Sequence, residues 1–381
     1  MAEAPSAAEP VPLHRGLPDE ITVWEILVRL PPKSLLRCRA VCPAWRRATS
    51  TRDFLLAHHA RQPSLPLLCG YHLSGDGVFL QVTPFDYRAG LAAVDQQLQS
   101  VARLGYSFFG LEVSCDGLLV LNGRYRNLGY SICNPATRQH ARLEEIDHFA
   151  LLGMYPHGPT PTGEYRLLLG KSSHGTLAPD VFYIFTLGSG QPPRRISCSN
   201  VGDMSYKSTS ILCHGSLHWL LEQHEGASNI IKVFDTTTES FQQMRAPALP
   251  GKASLFEMDG MLGMYSFNDA VKTIDIWMTQ DYASEAWAFK YRIGLPVAEL
   301  TEQFGKFHNL GEVVVMPGDG ELLVLVESED RLHHVDINGK LVASFHRSGL
   351  GVTQLPLKQT LVPHTFFPTL KGYVVNDSPF I

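Results

Sequence analysis

The chain has 381 residues, is 44% hydrophobic and 18% charged, and carries a net charge of −5. Those figures exclude a wholly disordered chain and leave room for two domains, or one large domain with an extension. Its 32 glycines and 25 prolines favour a turn-rich, all-β body.

Residues 1–16 are rich in Ala, Pro and Glu and contain no apolar core, so they read as a disordered tail and not as a signal peptide. A run of short helices is expected over residues 17–62. Pro18 suits a first helical turn, Asp19 and Glu20 suit a helix N-terminus, and Pro31-Pro32 stops the helix near Leu30. Apolar residues of this helix fall on two rows: Val23, Ile26, Leu27 and Leu30 on one, Ile21, Trp24 and Val28 on the other. One buried stripe suffices for a small unit, so the second row implies a partner. Further helices are expected from Pro32 (Leu35, Leu36 and Cys38 inward), from Val41 to Thr49, and from Asp53 to His59. A unit this small has too little core to be stable alone.

The charge is uneven. Between Arg15 and Arg61 nine Lys/Arg face four Asp/Glu, a surplus of +5, so the rest of the chain carries −10 of the total. The arginines lie among Leu, Val and Trp with no aromatic stacking platform. A basic rim around an apolar patch fits an acidic protein partner better than nucleic acid.

The order Leu17-Pro18, Ile26-Leu27, Arg29-Leu30-Pro31, Ser34-Leu35, Arg37, Arg39, Val41-Cys42, Trp45-Arg46, Phe54 and His58 resembles the F-box of plant F-box proteins. Two departures stand out: Pro43 where a basic residue is usual, and Thr51-Arg52 where Asp-Pro is usual. The resemblance implies docking onto a Skp-type adaptor, and through it a cullin and a RING protein. It places the adaptor-binding surface on Leu17, Pro18, Ile21, Ile26, Leu27, Leu30, Pro31 and Leu35, with Val41, Cys42 and Trp45 closing the module. The alternative is a helical cap on the following domain.

Gln62-Pro63-Ser64 ends the helical pattern, and residues 63–381 read as a second domain of short strands. Helical periodicity is nearly absent there, apart from a weak stretch at Ala92–Leu98. A small or polar residue plus Gly precedes a strand at Asp76-Gly77, Asp116-Gly117, His214-Gly215, Asp259-Gly260 and Asp319-Gly320, with spacings of 40, 98, 45 and 60. The gap of 98 fits two units, the missing start lying near Gly163-Glu164. Strand-ending turns recur at Asn134-Pro135-Ala136-Thr137, Asp235-Thr236-Thr237-Thr238 and Asp336-Ile337-Asn338-Gly339. Several strands per 40–50 residues mark a β-propeller of about six blades, with a β-sandwich as the alternative. Pro363–Leu370 is expected to be the strand that closes the ring onto the first blade.

Cys115-Asp116-Gly117-Leu118-Leu119, Cys133-Asn134-Pro135-Ala136-Thr137-Arg138, His214-Gly215 with His218-Trp219, Val233-Phe234-Asp235, and Ile276-Trp277 with Trp287 resemble the F-box-associated domain of the same proteins. The family's aromatic residue is here His140. The resemblance implies a kelch-like propeller that binds a target protein.

No catalytic, cofactor or metal pattern emerges. Gly170-Lys171-Ser172 lacks the upstream Gly of a phosphate loop, and neither GxSxG nor HExxH occurs. Ser114-Cys115-Asp116-Gly117 misplaces the Gly of a sialidase-type box. The seven cysteines contain no CxxC, and no apolar run reaches membrane length, so cytoplasm or nucleus is expected. Tyr125, Arg126, Tyr155, His157, Asp281 and Tyr282 are candidates for a binding rim on loops. Trp219, Trp277 and Trp287 are expected to pack the blades. The reading is a non-enzymatic substrate receptor of an SCF-type ubiquitin ligase. A propeller scaffold without ligase activity is the alternative, and a propeller hydrolase is a third class without positive support.

Overall fold

The computed structural model describes residues 17–74, 77–87, 99–105, 110–123, 129–158, 163–172, 180–197, 209–221, 230–249, 251–304, 310–318, 320–377 and 379–380. The chain divides into two compact units, Met1–Gln62 and Pro63–Ile381.

In the first unit the opening helix is not uniform. It starts as α1 (Asp19–Ile21), widens into a π turn over Thr22–Ile26 and tightens into a 3₁₀ turn over Leu27–Arg29. Then come α2 (Pro32–Val41), α3 (Pro43–Thr49) and α4 (Arg52–Arg61). The π turn changes which side chains face inward, because i→i+5 bonding breaks the 3.6-residue period. Val23, Leu27 and Val28 are buried, while Ile26 joins Ile21 and Trp24 outside. Both sequence departures fit helix starts. Pro43 occupies the first turn of α3, where a missing N–H costs nothing. Thr51 caps α4, its hydroxyl accepting from the Phe54 N–H at 3.4 Å.

Polar side chains tie these helices together. The Arg39 guanidinium on α2 donates to the Thr49 hydroxyl at 2.9 Å and to the Thr49 carbonyl on α3. The Leu30 carbonyl is met by Nε2 of His58 at 2.9 Å and accepts from Nε2 of Gln62 at 3.2 Å. Phe54, fully buried, packs its ring 5.7 Å from that of Trp24.

The second unit opens with β1 (Ser64–Ser74), β2 (Gly77–Pro84) and β3 (Ala102–Leu104). Five four-strand groups follow: β4 (Gly110–Cys115), β5 (Leu118–Asn122), β6 (Tyr130–Asn134) and β7 (Gln139–Arg142); β8 (Ala150–His157), β9 (Glu164–Lys171), β10 (Val181–Thr186) and β11 (Arg194–Ile196); β12 (Ile211–Cys213), β13 (Ser216–Leu220), β14 (Ile230–Asp235) and β15 (Ser240–Arg245); β16 (Lys252–Met258), β17 (Met261–Asn268), β18 (Thr273–Asp281) and β19 (Ala286–Gly294); β20 (Val313–Pro317), β21 (Leu322–Glu327), β22 (Arg331–Val335) and β23 (Leu341–His346). The first group is completed by β24 (Gly351–Lys358), which pairs antiparallel with β1. The described strands thus make six antiparallel sheets, a six-bladed propeller. Their innermost strands stand side by side, β24 with β4, β4 with β8, β12 with β16, β16 with β20, and β20 with β24.

Each pair of neighbouring blades encloses an apolar layer. Between the third and fourth blades Trp219, 1% exposed, donates its indole N–H to the Leu152 carbonyl at 3.1 Å. The expected blade packing by Trp219 therefore holds. Trp287 donates to the Arg245 carbonyl of the preceding blade at 3.0 Å, and Trp277 lies edge-on to Phe289.

Three of the Gly-led pairs are hairpin turns between the first two strands of their blades, whereas Gly77 opens the third strand of the first blade, and Asp76 and Asp319 fall outside the described residues. Asp116-Gly117, His214-Gly215 and Asp259-Gly260 each hold both residues at positive φ, the form that matches strand twist. The second repeat joins the last two strands of a blade. Asn134 Oδ1 accepts from Ala136 and Thr137, Asp235 Oδ1 from Thr237 and Thr238, and Asp336 Oδ1 from Asn338 and Lys340. Asp281 repeats the device by accepting from Ala283 at 3.1 Å.

Pro363–Leu370 is not the closing strand. It contains a 3₁₀ turn, Phe367–Thr369, and drives Phe366, Phe367 and Leu370 into the layer between the second and third blades. Closure belongs to Gly351–Lys358. Beyond it the chain runs along the ring's outside: β25 (Val374–Val375) adds a fifth strand to β7, and Phe380 bridges to Leu104. A helix not anticipated from the sequence, α5 (Val297–Phe304), lies between the fifth and sixth blades in chain order, with Leu300 buried. Ala92–Leu98 falls outside the described residues.

Candidate docking surface and propeller cleft

The helical unit leaves apolar side chains in water. Leu17 is 60% exposed and Val41 78%, and Ile21, Trp24, Ile26 and Leu36 each exceed a third. Pro18 and Pro31 are exposed as well, while Leu30, Cys42 and Trp45 are half-buried. Leu27 and Leu35, expected at the docking face, are interior at 2% and 0% exposure. They hold the helices together, and the exposed side chains form the accessible surface. Trp24 and Leu36 are members of that surface which the expected set omitted. Basic groups accompany it: Lys33, Arg37, Arg46 and Arg47 are exposed, and Arg29 pairs with Glu25 at 2.8 Å on the surface.

On the propeller, the tight turns after the innermost strands gather around the ring axis. On the same face a cleft of about 210 Å³ opens among the turns of the third, fourth and fifth blades. Pro156, near the end of β8, forms one wall. Leu212 and His214 of the fourth blade form another, and Glu257 and Gly260 of the fifth complete it. Glu257 Oε1 accepts from the Gly260 N–H at 2.7 Å, which fixes the carboxylate in its turn. The same carboxylate and, more strongly, burial push the Cys213 thiol up to about 12.

The cleft's lip is built by a short relay. His218 is fully buried; its Nδ1 meets the Ile211 carbonyl at 3.2 Å and its Nε2 meets the Tyr282 hydroxyl at 2.6 Å. Donation from Nδ1 to the carbonyl leaves Nε2 to accept from the phenol. Burial lowers the His218 pKa to about 4, so the ring stays neutral at neutral pH. Tyr282 in turn lies 4.5 Å, ring to ring, from His214.

The expected rim residues divide. Tyr155 is fully buried against Phe234 and is not a loop-tip group. His157 is exposed next to Pro156, Asp281 caps its turn, and Tyr282 supports the cleft. Tyr125 and Arg126 fall outside the described residues. His140, in place of the family's aromatic, is buried on β7, and burial lowers its pKa to about 4. Among the described residues no cluster of His, Cys, Asp or Glu could hold a metal ion, and no helix is long and apolar enough to cross a membrane.

A short helical unit with outward apolar residues, followed by a closed six-bladed propeller, defines a two-part binding protein. Comparison with known proteins makes the class specific. Residues 15–61 match the F-box-like family, and residues 79–366 match the family described as F-box associated beta propeller domain. The chain belongs to the F-box-associated β-propeller family of plant F-box proteins. F-box protein At5g49610 of Arabidopsis thaliana is 25% identical over 304 residues, covering 73% of this chain and 79% of that protein. F-box protein At4g19940 of the same plant is 23% identical over 372 residues, covering 87% of each. The solved Dos1 propeller aligns at a TM-score of 0.37 and 10% identity, over 74% of each chain.

Proposed function

We propose that the protein is the substrate receptor of an SCF-type ubiquitin ligase, working in cytoplasm or nucleus. The helical unit docks a Skp-type adaptor, which links it to a cullin and a RING protein. The propeller holds a target protein. The chain supplies no nucleophile; it supplies proximity, raising the effective concentration of a target lysine near the charged conjugating enzyme.

One observation carries this reading. A four-helix unit of the F-box-like family exposes Leu17, Ile21, Trp24, Ile26, Leu36 and Val41 together. So much outward apolar surface on so small a unit is an interface in want of a partner. The basic side chains beside it favour an acidic partner and fast encounter.

The test is adaptor titration against the full chain carrying Leu17→Ala and Pro18→Ala together. Both residues are exposed, so the helices stay folded. Losing these contacts weakens binding by about one to three orders of magnitude. Parent-like affinity in this variant rules out the assigned surface and favours a propeller scaffold without ligase activity.

A further inference from the structure

We propose that the cleft between the turns of the third, fourth and fifth blades seats a cationic side chain, an arginine or lysine, on a segment of the captured protein. The inference rests on the receptor reading for the source of that segment and on the cleft's own chemistry for the charge it takes.

The lining includes the Glu257 carboxylate and neither lysine nor arginine. Gly260 occupies Oε1 and fixes the group's orientation, and Oε2 retains its acceptor capacity. A carboxylate already held in place loses little freedom when a guanidinium or ammonium arrives, and a charge-assisted pair is stronger than a neutral hydrogen bond. The walls suit the rest of such a side chain. Pro156 and Leu212 offer apolar surface to a methylene stem, which basic residues bury while their heads stay polar.

Rigidity is built in. His214 and Gly215 both hold positive φ in the two-residue turn that shapes this lip. Tyr282 braces His214 from the next blade and is itself held by buried His218. The cleft's volume, about 210 Å³, fits one long side chain and not a drug-sized ligand. Outside the stretch from Arg15 to Arg61 the chain is net acidic, which adds a long-range preference for a basic segment.

The test uses the full chain with methyl-labelled leucine, observed by NMR. The probes are acetyl-Gly-Gly-Arg-Gly-Gly-amide, its lysine counterpart, its citrulline counterpart, and spermidine as a free cation. Single-anchor peptides bind in the millimolar range, which the titration covers. Saturable shifts at Leu212 are expected with the arginine and lysine peptides. Citrulline, of nearly equal shape but uncharged, binds about tenfold more weakly or worse. Glu257→Gln is expected to cause the same loss, and parent-like thermal unfolding shows that the loss is local. Equal binding of citrulline and arginine, full affinity in Glu257→Gln, or no shift at Leu212 overturns the proposal. Spermidine binding more tightly than either cationic peptide overturns the peptide source. Adaptor titration on the same samples separates the two readings: intact adaptor binding with an inert cleft defeats the cationic anchor alone. Failed adaptor binding with a responsive cleft defeats the receptor reading alone.

Discussion

The helical unit and the propeller solve the same problem, hiding apolar side chains, to different degrees. The propeller meets itself: every blade has a neighbour on both sides, and six apolar layers use up its sheet faces. The helical unit leaves Leu17 and Val41 more than half exposed. The closed ring can serve as a rigid platform, whereas the helices are completed by whatever they bind. The contrast predicts that propeller variants act on stability, and surface variants of the helices act on affinity.

The harshest way to break that contrast is to open the ring. Removing residues 351–381 takes away the innermost strand of the first blade and the outer strap, leaving the edge of β1 unpaired. The propeller is expected to lose its cooperative thermal transition in calorimetry. A sharp transition at the parent temperature would show that closure matters little.

Smaller but still large is Trp219→Ala, which empties a fully packed site and removes the bond to Leu152. It should cost about 3–5 kcal/mol in urea unfolding of the propeller while leaving adaptor affinity unchanged. In the helical unit Leu35→Ala, at an interior position, should cost roughly 2–5 kcal/mol and reduce helicity by circular dichroism. Val41→Ser on the exposed side should leave helicity intact. If both variants lose helicity equally, the division between core and surface is wrong.

Acid should separate the units further. His140, His218 and His333 lie buried in the ring, and burial holds each near a pKa of about 4, against an ordinary 6.5. A depressed folded pKa means that the unfolded chain binds the proton first. The stability these neutral rings contribute is complete above pH 6.5 and drains away as pH falls towards 4. At pH 5 the loss is roughly 2 kcal/mol per histidine. His218→Gln should shrink the gap between urea midpoints at pH 7 and pH 5. An unchanged gap would mean that His218 protonates without penalty.

The smallest expected effect belongs to Glu25→Gln. The Arg29–Glu25 pair is more than 60% exposed on both sides, so adaptor-free stability should move by less than about 0.5 kcal/mol.

How much of this was legible follows from which forces are local. The Asp-Gly and His-Gly turns could be read because a two-residue hairpin demands positive φ, which few residue types tolerate. The Asn134, Asp235 and Asp336 turns could be read because a short side chain must cap its own backbone. Closure could not be placed, because a ring needs a last strand but does not say which run supplies it. Gly351–Lys358 carries Pro356, which disfavours a strand, yet Pro356 stands opposite Pro66 at a register shift where ladder bonds are already broken. Phe366 and Phe367 looked strand-like and instead fill space between blades. Ile26 and Leu27 were both expected at the docking face, and the π turn parts them, leaving Ile26 outside and Leu27 buried. Val297, Leu300 and Phe304 do carry a helical spacing, visible but short. The cleft was the least legible feature, since Pro156, Leu212 and Glu257 are brought together only by three separate blades.

The strand that completes the first blade has a consequence for biosynthesis. Gly351 follows Ser64 by 287 residues. At ribosomal speeds of about 5–20 residues per second, β1 waits roughly a quarter of a minute to a minute before its inner partner is made. Throughout that interval the blade presents a bare edge, open to foreign strands, while the helical unit has already left the tunnel. A nascent chain of this kind acquires its adaptor-facing half well before its capturing half, so chaperone demand should fall on the first blade.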